Sequence, residues 1–181
     1  MENLKLEGLE FMGNNVRDKL KYCGKDVRIY PLAKICKAEV VELDDNCQIF
    51  DLTFIYGGEF ARIGKYSTFT WYALIEGYGE TIIGDRVLIG PGTKILTSVN
   101  EHNGFRMVDH LPEGQTKLIK GRTTIGDDVS IGAGCIVLPK VTIGEGVVVG
   151  ANSLVTKDLD PWGIYVGNPC KKVGERQKPS F

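Results

Sequence analysis

The chain has 181 residues, 43% of them hydrophobic, enough for one domain with a real core, which excludes a disordered tail or a small disulfide-stapled scaffold. Its 22 Lys and Arg against 23 Asp and Glu leave a net charge of -1, without the one-sided basic surplus of a protein that wraps nucleic acid or binds anionic lipid. No stretch approaches the ~18 apolar residues of a membrane span, the N-terminus lacks a signal-like apolar core, and five widely spaced cysteines without a C-x-x-C pair signal neither a disulfide framework nor a zinc finger. A soluble cytoplasmic protein with reduced, packing thiols is expected.

Residues 1–26 carry Leu4, Leu6, Leu9, Phe11, Met12, Val16 and Leu20 without clean periodicity, which suits a cap over an open end better than a core element. A first, irregular coil begins around Ile29, Ile35 and Val41. An apolar residue then recurs every six positions, at Leu43, Ile49, Ile55, then Ile63, Phe69, Ile75, then Ile83, Ile89, Ile95, with equivalent positions 20 apart. The two residues beyond three hexads fall at corners rich in glycine, around Gly57-Gly58, Gly77 and Gly79. The lattice stops after Ile95 and returns from Ile125 as IGDDVS, IGAGCI, VLPKVT, IGEGVV, VGANSL, VTKDLD. In these six the leading residue is always Ile or Val, the second is Gly126, Gly132, Gly144 or Gly150 in four cases, and the fifth (Val129, Cys135, Val141, Val147, Ser153, Leu159) is small or apolar. A period of six fits neither the 3.6 of a helix nor the alternation of one long strand. It predicts short strands between turns, three hexads to a coil, stacked about 4.8 Å apart as a triangular solenoid with glycine supplying positive φ at the corners. Beyond Val173 the chain is polar and basic, and a short helical tail is expected over 174–181.

These hexads, the V-T-K-D ending at Val155–Asp158 and the G-N-P turn at Gly167–Pro169 resemble, in that order, the hexapeptide-repeat acyltransferases of the galactoside/maltose O-acetyltransferase type. The resemblance covers roughly residues 27–173. It implies an all-β, left-handed parallel β-helix; spacing does not give the hand, since crossovers are right-handed as a rule. It further implies a homotrimer with each active site between two subunits, acetyl-CoA as co-substrate, and a sugar or nucleotide-sugar acceptor of the kind modified in surface polysaccharide biosynthesis.

The segment between the two lattices, TSVNEHNGFRMVDHLPEGQTKL, holds both histidines of the chain, His102 and His110. An extruded loop over about 100–118 is expected there, and loops on a rigid scaffold are where chemistry tends to be placed. A sugar hydroxyl is a poor nucleophile at neutral pH, so its attack on a thioester calls for a base, and imidazole suits that role. His102 occupies the position of the family's base, with Glu101 as its orienting partner; His110 is the alternative. By the same resemblance Gly132, Ala133, Gly150 and Ala151 match positions along the pantetheine arm, while Thr156, Lys157 and Lys171 match polar and cationic positions at its nucleotide end, where phosphate rewards point charge. Thr70 stands where the family often has an acceptor-binding asparagine, and Ser130 where it often has tryptophan. Trp71, Tyr72 and Tyr78 are aromatics that suit stacking on a sugar ring. No metal site is expected: a γ-class-like carbonic anhydrase on the same helix needs three histidines. Transfer to oxygen or to nitrogen stays open, and the alternative to an enzyme is a non-catalytic β-helix used in assembly.

Overall fold

The computed structural model describes residues 9–108 and 111–180. The six-residue period becomes three parallel sheets that wrap a prism. Face one stacks Tyr22–Cys23, Val41–Leu43, Phe60–Ile63, Glu80–Ile83, Thr123–Ile125 and Thr142–Ile143. Face two stacks Arg28–Ile29, Gln48–Ile49, Thr68–Phe69, Leu88–Ile89, Ser130–Ile131, Val148–Val149 and Gly163–Gly167. Face three stacks Lys34–Cys36, Phe54–Tyr56, Leu74–Glu76, Lys94–Leu96, Ile136–Val137 and Leu154–Val155. Each strand pairs with its equivalent one coil away, Ile29 with Ile49, Ile49 with Phe69, Phe69 with Ile89.

Every leading hexad residue points inward. Leu43, Ile49, Ile63, Phe69, Ile83, Ile89, Ile131 and Ile143 are fully enclosed and form continuous columns through the prism. At about 1.5–3 kcal/mol for each large aliphatic chain taken from water, these columns are the main stabilising term. The fifth hexad position packs beside them and does more than fill space. Buried Thr53, Ser67, Thr93 and Ser153 each donate a hydroxyl proton to a main-chain carbonyl at or beside a turn, those of Thr70, Gly84, Gly132 and Gly150 respectively. The Gly84 and Gly132 carbonyls find their partner in this way, while those of Thr70 and Gly150 gain a second donor beside the Ala73 amide and the Cys135 thiol.

The hexad glycines serve close approach rather than left-handed backbone. A Cβ on Gly132 would stand 2.6 Å from the Ala151 nitrogen, and one on Gly90 2.7 Å from the Gly132 carbonyl carbon. Positive φ falls instead on a later turn residue: among the described residues eleven non-glycine residues adopt it, nine at the first two corners, among them Tyr66, Tyr72, Arg86 and Asp128, and Lys37 and Lys140 at the third. Gly58 (φ 61) and Gly77 (φ 124) at the third corner do meet the expectation.

Two ends close the prism. Short 3-10 turns at Leu9–Phe11 and Gly13–Lys19 lie across the first coil, with Val16 buried, the Gly13 amide donating to the Ala33 carbonyl at 2.9 Å and Met12 bridging Lys34. Leu4 and Leu6 of the expected cap lie outside the described residues. The far end corrects the expectation of a helical tail: Cys170–Glu175 is a strand, antiparallel to Gly163–Gly167. After the Gly167–Pro169 turn the chain reverses onto the open edge of the last coil, whose amides and carbonyls offer a full ladder; a helix this short has too few internal bonds to compete.

Candidate active site

The extruded loop leaves where the lattice breaks. Ile89 pairs directly with Ile131, and Ile95 with Val137, so coil stacking continues beneath the excursion. Its neck is an antiparallel pair, Ser98–Asn100 against Leu118–Lys120, extended by the Glu101 amide donating to Lys117 at 2.7 Å. The neck emerges from the corner between faces three and one. His102 stands just beyond it, exposed, while His110 lies outside the described residues. Among the described residues Glu101 makes no hydrogen bond to the imidazole; its Oε1 accepts the Asn103 amide at 3.0 Å, which turns the loop.

The residues matched to the donor divide between two edges of face three. Thr156, Lys157 and Lys171 come together, lining with Leu159, Pro169 and Cys170 a cavity of about 210 Å3 at the last coil on the same edge as the loop neck. Both lysines are exposed, and burial pushes the Cys170 thiol up, so it enters the cavity neutral. Gly132, Ala133, Gly150 and Ala151 form stacked turns on the opposite edge, with Ala133 and Ala151 facing solvent and the Asn152 amide donating to Ala133 at 2.8 Å. Thr70, Trp71 and Tyr72 belong to this second edge too, Thr70 lying one coil from Gly90 and two from Gly132. The Thr70 hydroxyl is committed to the Ile89 carbonyl at 2.8 Å. Trp71 stands edge-on to Phe50 at 4.9 Å, and Phe50 stacks on Tyr30 at 4.6 Å, an aromatic ladder up the corner.

One further feature is assembled from three successive coils. At the foot of the loop Phe54, Tyr56, Glu76, Gly77, Tyr78, Leu96 and Ser98 line a cavity of about 340 Å3. The sequence signal is a charge out of place: in the outward column of face three that runs Cys36, Tyr56, Glu76, Leu96, Leu138, Thr156, Glu76 alone is ionic.

Three comparisons bear on this arrangement. A family profile described as bacterial transferase hexapeptide (six repeats) matches residues 122–157. The chain is 32% identical to the dTDP-4-amino-4,6-dideoxy-D-glucose acyltransferase of Escherichia coli across 87% of this chain and 83% of the relative. It is 52% identical to a chloramphenicol acetyltransferase of Klebsiella aerogenes across 64% and 67% of the two. Among solved structures it superposes with a TM-score of 0.82, at 30% identity, on a mutant of AntD, an N-acyltransferase from Bacillus cereus in complex with dTDP and coenzyme A, covering 90% of this chain and 87% of that one. The left-handed β-helix that the resemblance implied is thus the fold of this chain, which belongs to the hexapeptide-repeat transferase family of acyltransferases.

Proposed function

We propose that the protein transfers an acetyl group from acetyl-CoA to a hydroxyl or amine of a sugar or nucleotide-linked sugar, in the cytoplasm and in the service of surface polysaccharide biosynthesis. The observation that carries the reading is the shared edge of face three. The cavity with Thr156, Lys157 and Lys171 and the loop neck below His102 lie on one edge, with Thr156 and Leu96 two coils apart, about 10 Å by strand spacing. The residues present suit a coenzyme A thioester: paired lysine charges for its phosphates, and exposed turn amides behind the small side chains of Ala133 and Ala151 for its amide-bearing arm. His102 takes the proton of the acceptor as its oxygen or nitrogen attacks the thioester carbonyl carbon; the carbon–sulfur bond breaks and the coenzyme A thiolate leaves, to be protonated.

The division of donor positions between two edges supports a site completed by a second copy, in a homotrimer. Face three supports it as well, for beside the charged Lys34, Lys94 and Glu76 its outward residues Phe54, Leu74, Leu96, Ile136, Leu138 and Leu154 are apolar, whereas face one and its neighbouring corner carry the ion pairs Arg62–Asp44, Arg122–Glu80 and Arg86–Asp128. Light scattering should give roughly three times the 19.9 kDa chain; a monomer overturns the shared site. Function is tested by coenzyme A release from acetyl-CoA against sugars, aminosugars and their nucleotide conjugates, with the product identified. No acylated sugar from any of them refutes the reading. Chloramphenicol belongs in the panel as a second reading, favoured by the 52% identity to the Klebsiella relative.

A further inference from the structure

His102 takes its place from the main chain beneath it. Among the described residues the hydrogen bonds of this stretch go to the residues on either side of His102 and none to its imidazole. Two neighbouring side chains set that main chain. Glu101 Oε1 accepts the Asn103 amide at 3.0 Å and so closes a tight turn across His102. Asn100 closes the wider one: its Nδ2 donates to the Met107 carbonyl, seven residues on, at 3.1 Å. The strand that carries Asn100 is anchored from below, where Thr97 Oγ1 accepts the Gly79 amide and Ser98 Oγ the Tyr78 amide, each at 3.1 Å. From one side its backbone faces Leu118 in the last pair of the neck, and the Glu101 amide carries that ladder one bond further, to Lys117. Asn100 is thus held on a rigid rung, and its carboxamide reaches to the chain returning from His102. The other ties of that returning chain run elsewhere: the Arg106 amide donates to Gln115 at 2.8 Å, and the Lys117 ammonium lies 5.4 Å from the centre of the Phe105 ring. Among the described residues, the Asn100 contact is the one side-chain hydrogen bond that joins the two limbs around His102.

We infer that Asn100 is a positioning residue for His102: by holding the Met107 carbonyl, its carboxamide fixes the turn on which the imidazole stands. This rests on the reading of His102 as the base. Asn100 itself touches no reacting atom. A base takes a proton only within hydrogen-bond reach, about 2.6–3.2 Å between heavy atoms, and a misplacement of about 1 Å can cost about 100-fold in rate. Released from Met107, the turn spends less of its time with the imidazole in reach, so kcat falls. Donor binding does not, because Thr156, Lys157 and Lys171 stand on later coils. The residue type fits the task. A carboxamide offers its N–H at every pH, whereas an aspartate of the same size would set a carboxylate oxygen against the Met107 carbonyl, acceptor against acceptor.

The test follows turnover of the full chain with acetyl-CoA and the member of the sugar panel that yields most acylated product, and measures acetyl-CoA binding by calorimetry. Asn100→Asp and Asn100→Ala should each lower kcat by about 10- to 100-fold with acetyl-CoA affinity unchanged, and Asn100→Gln, which keeps a donor, should recover part of the loss. A double-mutant cycle separates positioning from mere support of the fold. In a chain already carrying His102→Ala, Asn100→Asp should change the residual rate by less than about twofold, because nothing is left to position. A residue that only stabilises the loop costs the same factor in both backgrounds. Full kcat in Asn100→Asp, a loss in Asn100→Gln as deep as in Asn100→Asp, a parallel loss of acetyl-CoA affinity, or an equal factor in both backgrounds each overturns the inference. A deep loss in His102→Ala with full turnover in Asn100→Asp overturns it alone and leaves the base in place; near-normal turnover in His102→Ala overturns the base reading, and this inference with it. No acylated product from any panel member overturns the acyltransferase reading and everything built on it.

Discussion

Thr93 joins the coil before the loop to the coil after it. Its side chain is fully enclosed; Oγ1 donates to the Gly132 carbonyl at 2.8 Å and accepts the Cys135 amide at 3.3 Å. Thr93→Val keeps the volume and removes both bonds, so no cavity forms and the cost is two buried main-chain groups without partners. At about 1–3 kcal/mol each, with the long Cys135 contact at the low end, the loss should total about 2–4 kcal/mol. For a chain of this size that lowers the melting midpoint by about 5 to 15 °C. Thr93→Ser is the control, since it keeps the hydroxyl and loses one methyl, worth about 0.8 kcal/mol. Urea and thermal unfolding at one fixed protein concentration read both, because any association adds to apparent stability. If the valine variant falls within about 0.5 kcal/mol of the serine variant, the hydroxyl is not what satisfies this turn, and the role given to the other buried hydroxyls falls with it.

His102→Ala should cut turnover by about 100- to 10,000-fold on a confirmed acceptor while melting and donor affinity stay near wild type, since the side chain is exposed; near-normal turnover removes the base assignment. Lys157→Ala should weaken acetyl-CoA by about 1–3 kcal/mol in a direct binding measurement with little change once bound, and an unchanged affinity makes Lys157 a mere surface charge. Burial pushes the Cys47 thiol up to about 12, so at pH 8 about one in ten thousand is thiolate, and a disulfide reagent should reach it only after denaturant is added; rapid native-state reaction contradicts its enclosure. The Arg86 guanidinium, bonded at 2.7 and 2.8 Å, holds the Asp128 carboxyl below its ordinary range. Because a depressed carboxyl stabilises the fold above its unfolded pKa of about 3.9 and loses that effect as pH falls through its folded value, Arg86→Gln should cost about 0.5–1 kcal/mol at neutral pH and nothing in strong acid; a difference that persists in acid refutes the pairing.

The columns of Ile and Val could be read from the chain because each coil repeats one burial demand, and a side chain that must face inward every sixth residue leaves a period no helix or long strand shares. What the glycines do could not be read: Gly132 is small because the backbone of Gly150 and Ala151 on the next coil passes within van der Waals reach, and Gly150 because the Val166 side chain does, facts about neighbours 16 to 19 residues away. The tail misled for a related reason. Cys170–Glu175 has strand geometry only because an unpaired edge is waiting for it, and its own composition carries no trace of that edge. For the site, the break after Ile95 located the loop and His102, while the two edges of face three that separate Lys157 from Ala151 depend on corner positions that motif matching ignores.

A parallel coil stack has no intrinsic length. Its first and last rungs present the same unpaired amides and carbonyls that any further rung would use, so two such prisms laid end to end could merge into a growing fibre. The 3-10 turns over the first coil and the reversed strand Cys170–Glu175 over the last are therefore terminators. The antiparallel strand is the stricter of the two, because its reversed direction and the register shift beside Ile164 break the repeat that an incoming copy would have to continue. Finite size in this protein is a property of a few residues at each end, and the repeats between them are indifferent to it.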